Sequence, residues 1–205
     1  FLSPGGAEET RRVLDRVEIA GKDVLEVGSG LGGCCLIIAS EHDAKSVHGI
    51  DVEPLVINRA KELVLQAGLE NRISFQQVEP GPLPVASNSF DIIFSKDAFC
   101  HIEDKLMLYS ELFRVLRPGG SIAIGDWMAR DEQGHSTAME AFIESTGLSL
   151  FMDSLTGVKK NLESMGFGEV DVINRNAWFQ NEARAEADRL EGELAAAVVN
   201  LRGQK

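Results

Sequence analysis

The chain has 205 residues, 25% of them charged and 44% hydrophobic, which is the composition of an ordinary soluble globular domain. Its formal net charge of −12 disfavours a nucleic-acid substrate and suits a cationic or zwitterionic small molecule. No apolar run is long enough to span a bilayer and no signal-peptide pattern opens the chain, so we expect no membrane partner. Three cysteines, two of them adjacent, lack the spacing of a zinc site, which predicts no bound metal and a reducing, cytoplasmic location.

Short β-rich runs alternate with helical stretches, a pattern that predicts an α/β fold with a mostly parallel central sheet flanked by helices. In chain order, the first half predicts a helix over 7–19, a strand over 23–27, an apolar helix over 36–39, a strand over 46–50, a helix over 54–68, and strands over 73–78 and 90–95. The second half predicts a helix over 103–116, a turn over 117–120, a strand over 121–124, helices over 137–145 and 153–165, a strand over 167–173 and a helix over 177–200.

These elements predict one domain over 1–205, with its core at 7–127 and 153–175, a helical insert or lid at 134–150 and a C-terminal helix at 177–200. Phe1 in place of an initiator Met predicts that the natural chain starts earlier. A fold of this class usually closes with an antiparallel strand at the sheet edge, so we also expect a longer natural chain. The sequence favours neither a monomer nor an oligomer.

A glycine-rich segment separates the first predicted strand from the helix that follows. Gly28, Gly30 and Gly32, with Ser29 among them, allow a sharp turn and a close approach of the backbone to a ligand. The next helix starts there and offers unpaired N–H groups. Dinucleotide dehydrogenases use a similar loop, and a tight turn without a ligand gives the same pattern, so the glycines alone do not identify the ligand.

Two acidic residues narrow the choice of ligand. Glu26, inside the loop motif, would repel a pyrophosphate but would accept a ligand that carries an amino group and a sulfonium. Asp51 lies about twenty residues past the loop, at the end of the second predicted strand, where a carboxylate can accept both ribose hydroxyls. Glu26 thus disfavours a dinucleotide, whereas Asp51 indicates a nucleoside without deciding between the two classes of cofactor.

Two later segments carry a family resemblance over roughly 4–127. Phe-Asp-Ile-Ile-Phe-Ser at 90–95 and Leu-Arg-Pro-Gly-Gly at 116–120 resemble the fourth- and fifth-strand signatures of class I methyltransferases. The resemblance implies a Rossmann-like fold, S-adenosylmethionine as cofactor and S-adenosylhomocysteine as product. It implies that Glu26 contacts the methionine end and that Val78 and Glu79, the latter where most members carry Asp, face the adenine. The full set of implied cofactor contacts in this part of the chain is Glu26, Gly28, Ser29, Gly30, Gly32, Asp51, Val52, Val78, Glu79, Ser95 and Lys96.

The segment from Asp97 to His101 follows the fourth predicted strand and borders the expected position of the methyl group. Methyl transfer is an in-line displacement in which positioning supplies much of the rate, and an amine must lose a proton before it attacks. An imidazole suits that proton transfer, so His101 is a candidate general base. Asp97 is a candidate for attracting or holding a cationic substrate. The alternatives are that His101 caps the helix predicted from Glu103 or packs under the sheet, and that Asp97 only shapes the turn.

Three segments give a closer resemblance. Leu-Ser-Pro-Gly-Gly at 2–6, Ser-Gly-Leu-Gly-Gly at 29–33 and the run Ser-Lys-Asp-Ala at 95–98 with His101 resemble phosphoethanolamine and glycine-betaine-type N-methyltransferases. This resemblance implies that Leu2 and Ser3 belong to an arm that folds over the cofactor and that His101 is catalytic. It also implies a Tyr partner for that histidine, from a helix that would precede the arm.

The sequence departs from that family where the phosphate of the substrate would bind. Trp127 stands where a Tyr is expected, and residues 141–148 contain no Arg. A dianionic phosphate without Arg or Lys would be poorly bound. We therefore predict an amine or zwitterion without phosphate, with Trp127 and Asp126 as candidate substrate contacts. Trp127 would offer its ring face to a methylated ammonium, or would simply fill the core at a strand end.

The leading hypothesis is therefore N-methylation of a small amine with S-adenosylmethionine. O- or C-methylation of a small metabolite would use the same site. A nicotinamide-dependent dehydrogenase, a nucleotide-binding module and a non-catalytic cofactor-binding subunit are the other hypotheses, and Glu26 argues against the dehydrogenase.

Overall fold

The computed structural model describes residues 4–130, 135–192 and 194. Within those residues, five strands form one all-parallel sheet in the order β3-β2-β1-β4-β5. The strands are β1 (Asp23–Val27), β2 (Ser46–Asp51), β3 (Ile73–Gln77), β4 (Phe90–Lys96) and β5 (Leu116–Gly125). The helices are α1 (Gly6–Leu14), α2 (Gly33–Ser40), α3 (Pro54–Gln66), α4 (Lys105–Val115), α5 (Thr137–Thr146), α6 (Leu155–Ser164) and α7 (Asn176–Glu191). The predicted Rossmann-like α/β fold is confirmed.

Helices cover both faces of the sheet, which explains why most residues of the central strands β1 and β4 are buried. Successive side chains of a strand point to opposite faces, so Val24 of β1 joins one core and Leu25 joins the other. The first core includes side chains of α1, α2 and α3. The second includes side chains of α4 and α6, among them Leu112 and Leu162.

The strand order reverses at β1, which pairs with β2 on one side and with β4 on the other. In open α/β sheets, ligands bind in the crevice beyond the carboxyl ends of the strands at such a switch point. Gly28 directly follows β1 and Asp97 directly follows β4. The fold therefore brings the predicted cofactor loop and the predicted catalytic segment to the same crevice.

The sixth strand predicted over 167–173 is wrong, because these residues form no strand in the structure. Phe167 and Val170 pack on the second core, while the Asp171 carboxylate pairs with the Arg16 guanidinium. The alternation of apolar and polar residues in this segment reflects burial on one side. It does not indicate a backbone pairing with a neighbouring strand.

Other boundaries differ locally from the predictions. The predicted turn at 117–120 lies inside β5, as an irregularity between the pairs Phe90↔Leu116 and Ile92↔Ser121. Helix α1 ends at Leu14, five residues earlier than predicted over 7–19, and the chain turns before β1. Helix α7 covers Asn176–Glu191, and the rest of the helix predicted over 177–200 lies largely outside the described residues.

The chain divides into two compact units, Phe1–Val172 and Ile173–Lys205. The first contains the sheet with helices α1 to α6. The second contains α7, in which the Arg175 guanidinium lies 4.7 Å from the centroid of the Trp178 ring. One domain over 1–205 stays a prediction. Across 4–130, 135–192 and 194, no helix is both long and apolar enough to cross a membrane.

Candidate functional site

The glycine loop after β1 is held to β2 and touches the segment after β4. The Gly28 amide donates to the Ile50 carbonyl at 2.9 Å. Gly28, Gly30 and Gly32 have φ angles of 77°, 49° and 75°, in the left-handed region that favours glycine. A Cβ atom on Gly28 would stand 2.2 Å from the Cβ of Ala98. The loop therefore contacts residues 97–101, here called the post-β4 segment.

Glu26 is a buried acid in the fourth position of β1, with 1% of its surface exposed. The Cys35 thiol of α2 donates to Glu26 Oε2 at 2.7 Å. Burial raises the pKa of Glu26 to about 8, although hydrogen bonds from Cys35 and Cys34 lower it. Burial also raises the pKa of both thiols, so they remain protonated donors. A cationic group bound next to Glu26 would favour its ionised form.

Asp51 closes β2 and links the loops at the ends of three strands. Its Oδ2 accepts from the Gly30 amide at 2.7 Å, and its Oδ1 accepts from the Glu53 amide at 3.0 Å. Its backbone carbonyl accepts from the Val78 amide at 3.0 Å. Each carboxylate oxygen has two lone pairs, so these bonds leave acceptor capacity for the hydroxyls of a ribose.

The residues predicted to face an adenine lie at the ends of β2 and β3. Val52 follows Asp51 and is 46% exposed. Val78 is half-buried and Glu79 is exposed. Apolar side chains beside a fixed carboxylate match the flat face and the hydroxyls of a nucleoside.

Ser29 carries a buried hydroxyl on the glycine loop. The residue is 5% exposed, and its Oγ is the one buried side-chain nitrogen or oxygen among the described residues that has no hydrogen-bond partner. Such groups are rare, because leaving one unsatisfied costs about 1–3 kcal/mol. A polar ligand at this loop would satisfy it.

Lys96 connects the chain before α1 to the post-β4 segment. Its buried ammonium donates to the Pro4 carbonyl at 2.8 Å and to Asp97 Oδ2 at 2.6 Å. Asp97 has a φ of 52°, uncommon for a residue other than glycine. The neighbouring Ser95 hydroxyl donates to the Val27 carbonyl at 2.8 Å and ties β4 to β1. The predicted arm residues Leu2 and Ser3 lie outside the described residues.

Asp126 organises the short 3-10 turn Phe99–His101. Its carboxylate accepts from the amides of Phe99 at 2.7 Å, Cys100 at 3.3 Å and Trp127 at 2.7 Å. Burial raises the pKa of the Asp126 carboxyl. In the structure, Asp126 bonds to backbone amides and so helps to fix the conformation of the turn that carries His101. Its predicted role as a substrate contact stays a prediction.

His101 ends this turn with an exposed imidazole. Its Nδ1 lies 3.0 Å from the Ser149 carbonyl oxygen. A carbonyl only accepts hydrogen bonds, so Nδ1 carries the proton and Nε2 is the acceptor nitrogen of the neutral ring. Helix α4 is capped by Asp104, whose side chain accepts from the Met107 amide at 2.9 Å, and His101 has no part in that cap.

Trp127 lies next to Asp126 and stacks on the insert helix α5. The ring centroids of Trp127 and Phe142 are 6.0 Å apart, with 12° between their planes. Trp127 is half-buried and Phe142 is 41% exposed. Exposed aromatic faces of this kind attract methylated ammonium groups.

Sequence reasoning missed a buried pair close to this turn. The Tyr109 hydroxyl of α4 donates to Asp153 Oδ2 at 2.6 Å, and Tyr109 is 2% exposed. Its one sequence signal is that a buried tyrosine hydroxyl needs a partner. A cavity of about 540 Å³ also lies against Asp153, between the starts of α4 and α6, and none of the predicted site residues lines it.

Comparison with known proteins identifies relatives of the chain. A family model described as a methyltransferase domain matches residues 19–169. Phosphoethanolamine N-methyltransferase 1 of Arabidopsis thaliana is 32% identical over 194 residues, which are 94% of this chain and 38% of the relative. Phosphoethanolamine N-methyltransferase of Plasmodium falciparum is 31% identical over 153 residues, 73% of this chain and 56% of the relative. The chain thus spans well under two thirds of these relatives.

A solved structure has the same fold over nearly the whole chain. Phosphoethanolamine N-methyltransferase 2 of Haemonchus contortus, in complex with phosphomonomethylethanolamine and S-adenosylhomocysteine, superposes with a TM-score of 0.86 at 26% identity. The match covers 97% of this chain and 46% of that protein.

Proposed function

Because the chain belongs to the methyltransferase-domain family, we propose that it binds S-adenosylmethionine and transfers the methyl group to the nitrogen of a small amine. Membership confirms the class predicted from the sequence and decides against a dehydrogenase. The observation that carries the proposal is the contact between the glycine loop and the post-β4 segment, at Gly28 and Ala98. The glycine loop thus forms one wall of a crevice, and the post-β4 segment, which carries the candidate base His101, forms the other.

The residues of the crevice fit S-adenosylmethionine. Glu26 supplies a buried carboxyl for its amino group, Asp51 supplies acceptors for its ribose and the Ser29 hydroxyl supplies an unsatisfied polar group. When bound, this cofactor provides an electrophilic methyl group on a sulfonium and leaves as S-adenosylhomocysteine. The amides and side chains of the glycine loop orient it, and the apolar Val52 and Val78 border its base.

The acceptor we propose is an amine presented to the post-β4 segment. His101 Nδ1 donates a hydrogen bond to the Ser149 carbonyl, which leaves Nε2 of the neutral ring as the proton acceptor. An ammonium that loses its proton to Nε2 gains the lone pair it needs for attack. Asp97 and the stacked pair of Trp127 and Phe142 suit the positive charge of the substrate and of its methylated product.

The proposed substrate carries no phosphate. The stretch 141–148 has no Lys or Arg. Lys96 and Lys105 both donate to protein groups, with Lys96 Nζ bound to Asp97 Oδ2 and Lys105 Nζ bound to the Phe99 carbonyl, each at 2.6 Å. A dianionic group would thus meet carboxylates and aromatic rings where it needs fixed cations.

Binding of the cofactor is tested by isothermal titration calorimetry with S-adenosylmethionine, with NAD as the comparison ligand. We expect saturable binding of the first and none of the second. No heat with S-adenosylmethionine at any concentration tested would overturn the proposal.

Catalysis is tested by following S-adenosylhomocysteine formation with ethanolamine, sarcosine, phosphoethanolamine and a hydroxyl compound of similar size. We expect the unphosphorylated amines to give the higher kcat/KM. His101→Ala should lower kcat about a hundredfold or more with little change in cofactor affinity, and the control His42→Ala should leave both unchanged. Equal losses of kcat and cofactor affinity in His101→Ala would contradict the base role, and a preference for the hydroxyl compound would indicate O-methylation.

A further inference from the structure

We propose that Tyr109 and Asp153 are positioning residues that hold residues 149–153, here called the strap, against the 3-10 turn, so that His101 keeps its proton on Nδ1. The inference rests on the proposed function, because the base role of His101 gives the tautomer its purpose. It gives a role to Tyr109, a buried residue that takes no part in the proposed binding of cofactor or substrate.

Three hydrogen bonds fix the strap along the turn and on helix α4. The Ser149 carbonyl accepts from His101 Nδ1 at 3.0 Å, and the Phe151 amide donates to the Cys100 carbonyl at 2.6 Å. At the far end, the Tyr109 hydroxyl donates to Asp153 Oδ2 at 2.6 Å. The strap is thus bonded to two consecutive residues of the turn and anchored once in the core.

The anchoring Tyr109 is buried, whereas Ser149 and Phe151 of the strap are exposed. Tyr109 is 2% exposed within the second core, and burial beside Asp153 raises the pKa of its hydroxyl, which keeps it a donor. Ser149 is exposed and Phe151 is 37% exposed, so core packing contributes little to holding them. The Asp153 carbonyl also accepts from the Ala129 amide at 2.8 Å, which ties this end to the chain after β5.

The tautomer of His101 determines whether its Nε2 can accept a proton from the substrate. A free imidazole in water favours the proton on Nε2, and such a ring presents a donor where an amine substrate needs an acceptor. The Ser149 carbonyl reverses this preference because it can bond only a protonated Nδ1. A strap that moves away removes that bond and returns the ring to its solution preference.

The test is the tautomer of His101 in the full chain labelled with ¹⁵N-histidine, read from long-range ¹H–¹⁵N correlations. The chain has four histidines, and a His101→Gln variant assigns the signal of interest. At a pH at which the ring is neutral, we expect the wild type to show a protonated Nδ1 and an unprotonated Nε2. Tyr109→Phe and Asp153→Ala should each shift the ratio of tautomers about fivefold toward a protonated Nε2.

A matched control removes a hydrogen bond elsewhere on the same helix. Glu111 of α4 accepts from the Leu83 amide at 2.8 Å, pairs with Arg114 and does not touch the strap, so Glu111→Ala should leave the His101 tautomer unchanged. Phe151→Pro deletes the exposed strap amide without entering the core and serves where Tyr109→Phe does not fold. It should shift the tautomer in the same direction.

Two results would overturn the inference. One is a wild type with the proton on Nε2. The other is a set of folded strap variants whose His101 tautomer equals that of the wild type. Methyl transfer is measured separately: with an active acceptor, Tyr109→Phe should lower kcat about tenfold at unchanged KM for S-adenosylmethionine. Absence of any methyl transfer by the wild type would count against the proposed function, while the tautomer would still be readable.

Discussion

The Cβ of Ala98 occupies the space that a side chain on Gly28 would need, with 2.2 Å between the two positions. Gly28 follows β1 and Ala98 belongs to the post-β4 segment, so the two walls of the crevice touch at this point. A change in either residue must therefore displace the other wall. The distance between the glycine loop and His101 depends on this contact.

Gly28→Ala should weaken cofactor binding and destabilise the chain moderately. The new methyl group collides with Ala98, and the φ of 77° is itself strained for alanine. We expect affinity for S-adenosylmethionine to fall at least about tenfold, and the free energy of unfolding to fall by about 1–3 kcal/mol. Calorimetry and urea denaturation measure the two effects.

Gly21→Ala is the matched control for this prediction. Gly21 has a similar φ of 72°, but nothing lies within 4 Å of its would-be Cβ. Its alanine variant reports the backbone strain alone and should bind the cofactor normally. The double variant Gly28→Ala with Ala98→Gly should regain part of the affinity, and failure to regain any would argue against contact between the walls.

The burial of Glu26 makes stability depend on pH. Its pKa is about 8 in the folded protein against an ordinary value of 4.5, so the folded chain holds one more proton than the unfolded chain between these pH values. The free energy of unfolding should therefore fall as the pH rises through this window, by at most about 1.4 kcal/mol per pH unit from this group, and level off above it. Urea denaturation at several pH values measures the slope.

Glu26→Gln serves as the comparison, because the amide has a similar shape and does not titrate. Groups that do not interact with Glu26 contribute equally to both proteins. The neighbouring thiols of Cys34 and Cys35 stay protonated below pH 8, so the difference between the two curves up to that pH reports on Glu26. We expect the variant to gain stability relative to the wild type as the pH rises. Parallel curves across the window would show that the carboxyl is ionised when buried.

The same carboxyl predicts release of a proton when the cofactor binds. An amino group next to Glu26 favours its ionised form, so binding near neutral pH should expel the proton that burial retains. Titrations of S-adenosylmethionine in buffers of different ionisation enthalpy measure this release. The observed enthalpy should vary with the buffer for the wild type and not for Glu26→Gln. Equal dependence in both would assign the proton to another group.

Much of the fold could be predicted because local signals coincide with burial. The apolar runs at 23–27, 46–50, 73–78 and 90–95 predict β1 to β4 to within one residue, since glycine and proline mark the turns between many of these elements. The same reasoning fails at 167–173, where apolar and polar residues alternate only because Phe167 and Val170 pack against the second core. Periodicity shows which residues face the core and does not show whether a neighbouring strand is there to pair with.

The candidate site was predictable in position and less so in its contacts. Its residues follow strands, and parallel strands end at one edge of the sheet, so sequence order places them together. The hydrogen-bond partners of Lys96 and Tyr109 could not be predicted in this way. Pro4 lies 92 residues from Lys96 in the sequence, and Asp153 lies 44 residues from Tyr109. No local pattern encodes such a contact, so the sequence revealed neither pairing. The cofactor contact that the resemblance implies for Lys96 stays a prediction.

Asp126→Asn should loosen the turn that carries His101. The carboxylate serves the three amides of Phe99, Cys100 and Trp127, whereas an asparagine has one acceptor oxygen and leaves at least one amide unsatisfied. We expect a loss of about 1–3 kcal/mol in the free energy of unfolding and a fall in kcat with little change in KM for S-adenosylmethionine. Asp43→Asn, at an exposed ion pair with Arg72, should change stability by no more than about 0.5 kcal/mol. A rise in acceptor KM alone would instead indicate that Asp126 contacts the substrate.

Lys96→Met separates two roles for the buried lysine. In the structure, its ammonium joins the Pro4 carbonyl to the Asp97 carboxylate, so its loss should free the chain before α1 and leave Asp97 without this partner. We expect the free energy of unfolding to fall by about 1–3 kcal/mol and limited proteolysis near Pro4 to become faster. Lys159→Met, at an exposed pair with Glu163, controls for the loss of a charge and should change neither. A variant that loses affinity for S-adenosylmethionine while its stability and its cleavage near Pro4 stay unchanged would show that Lys96 contacts the cofactor directly, as the sequence resemblance implies.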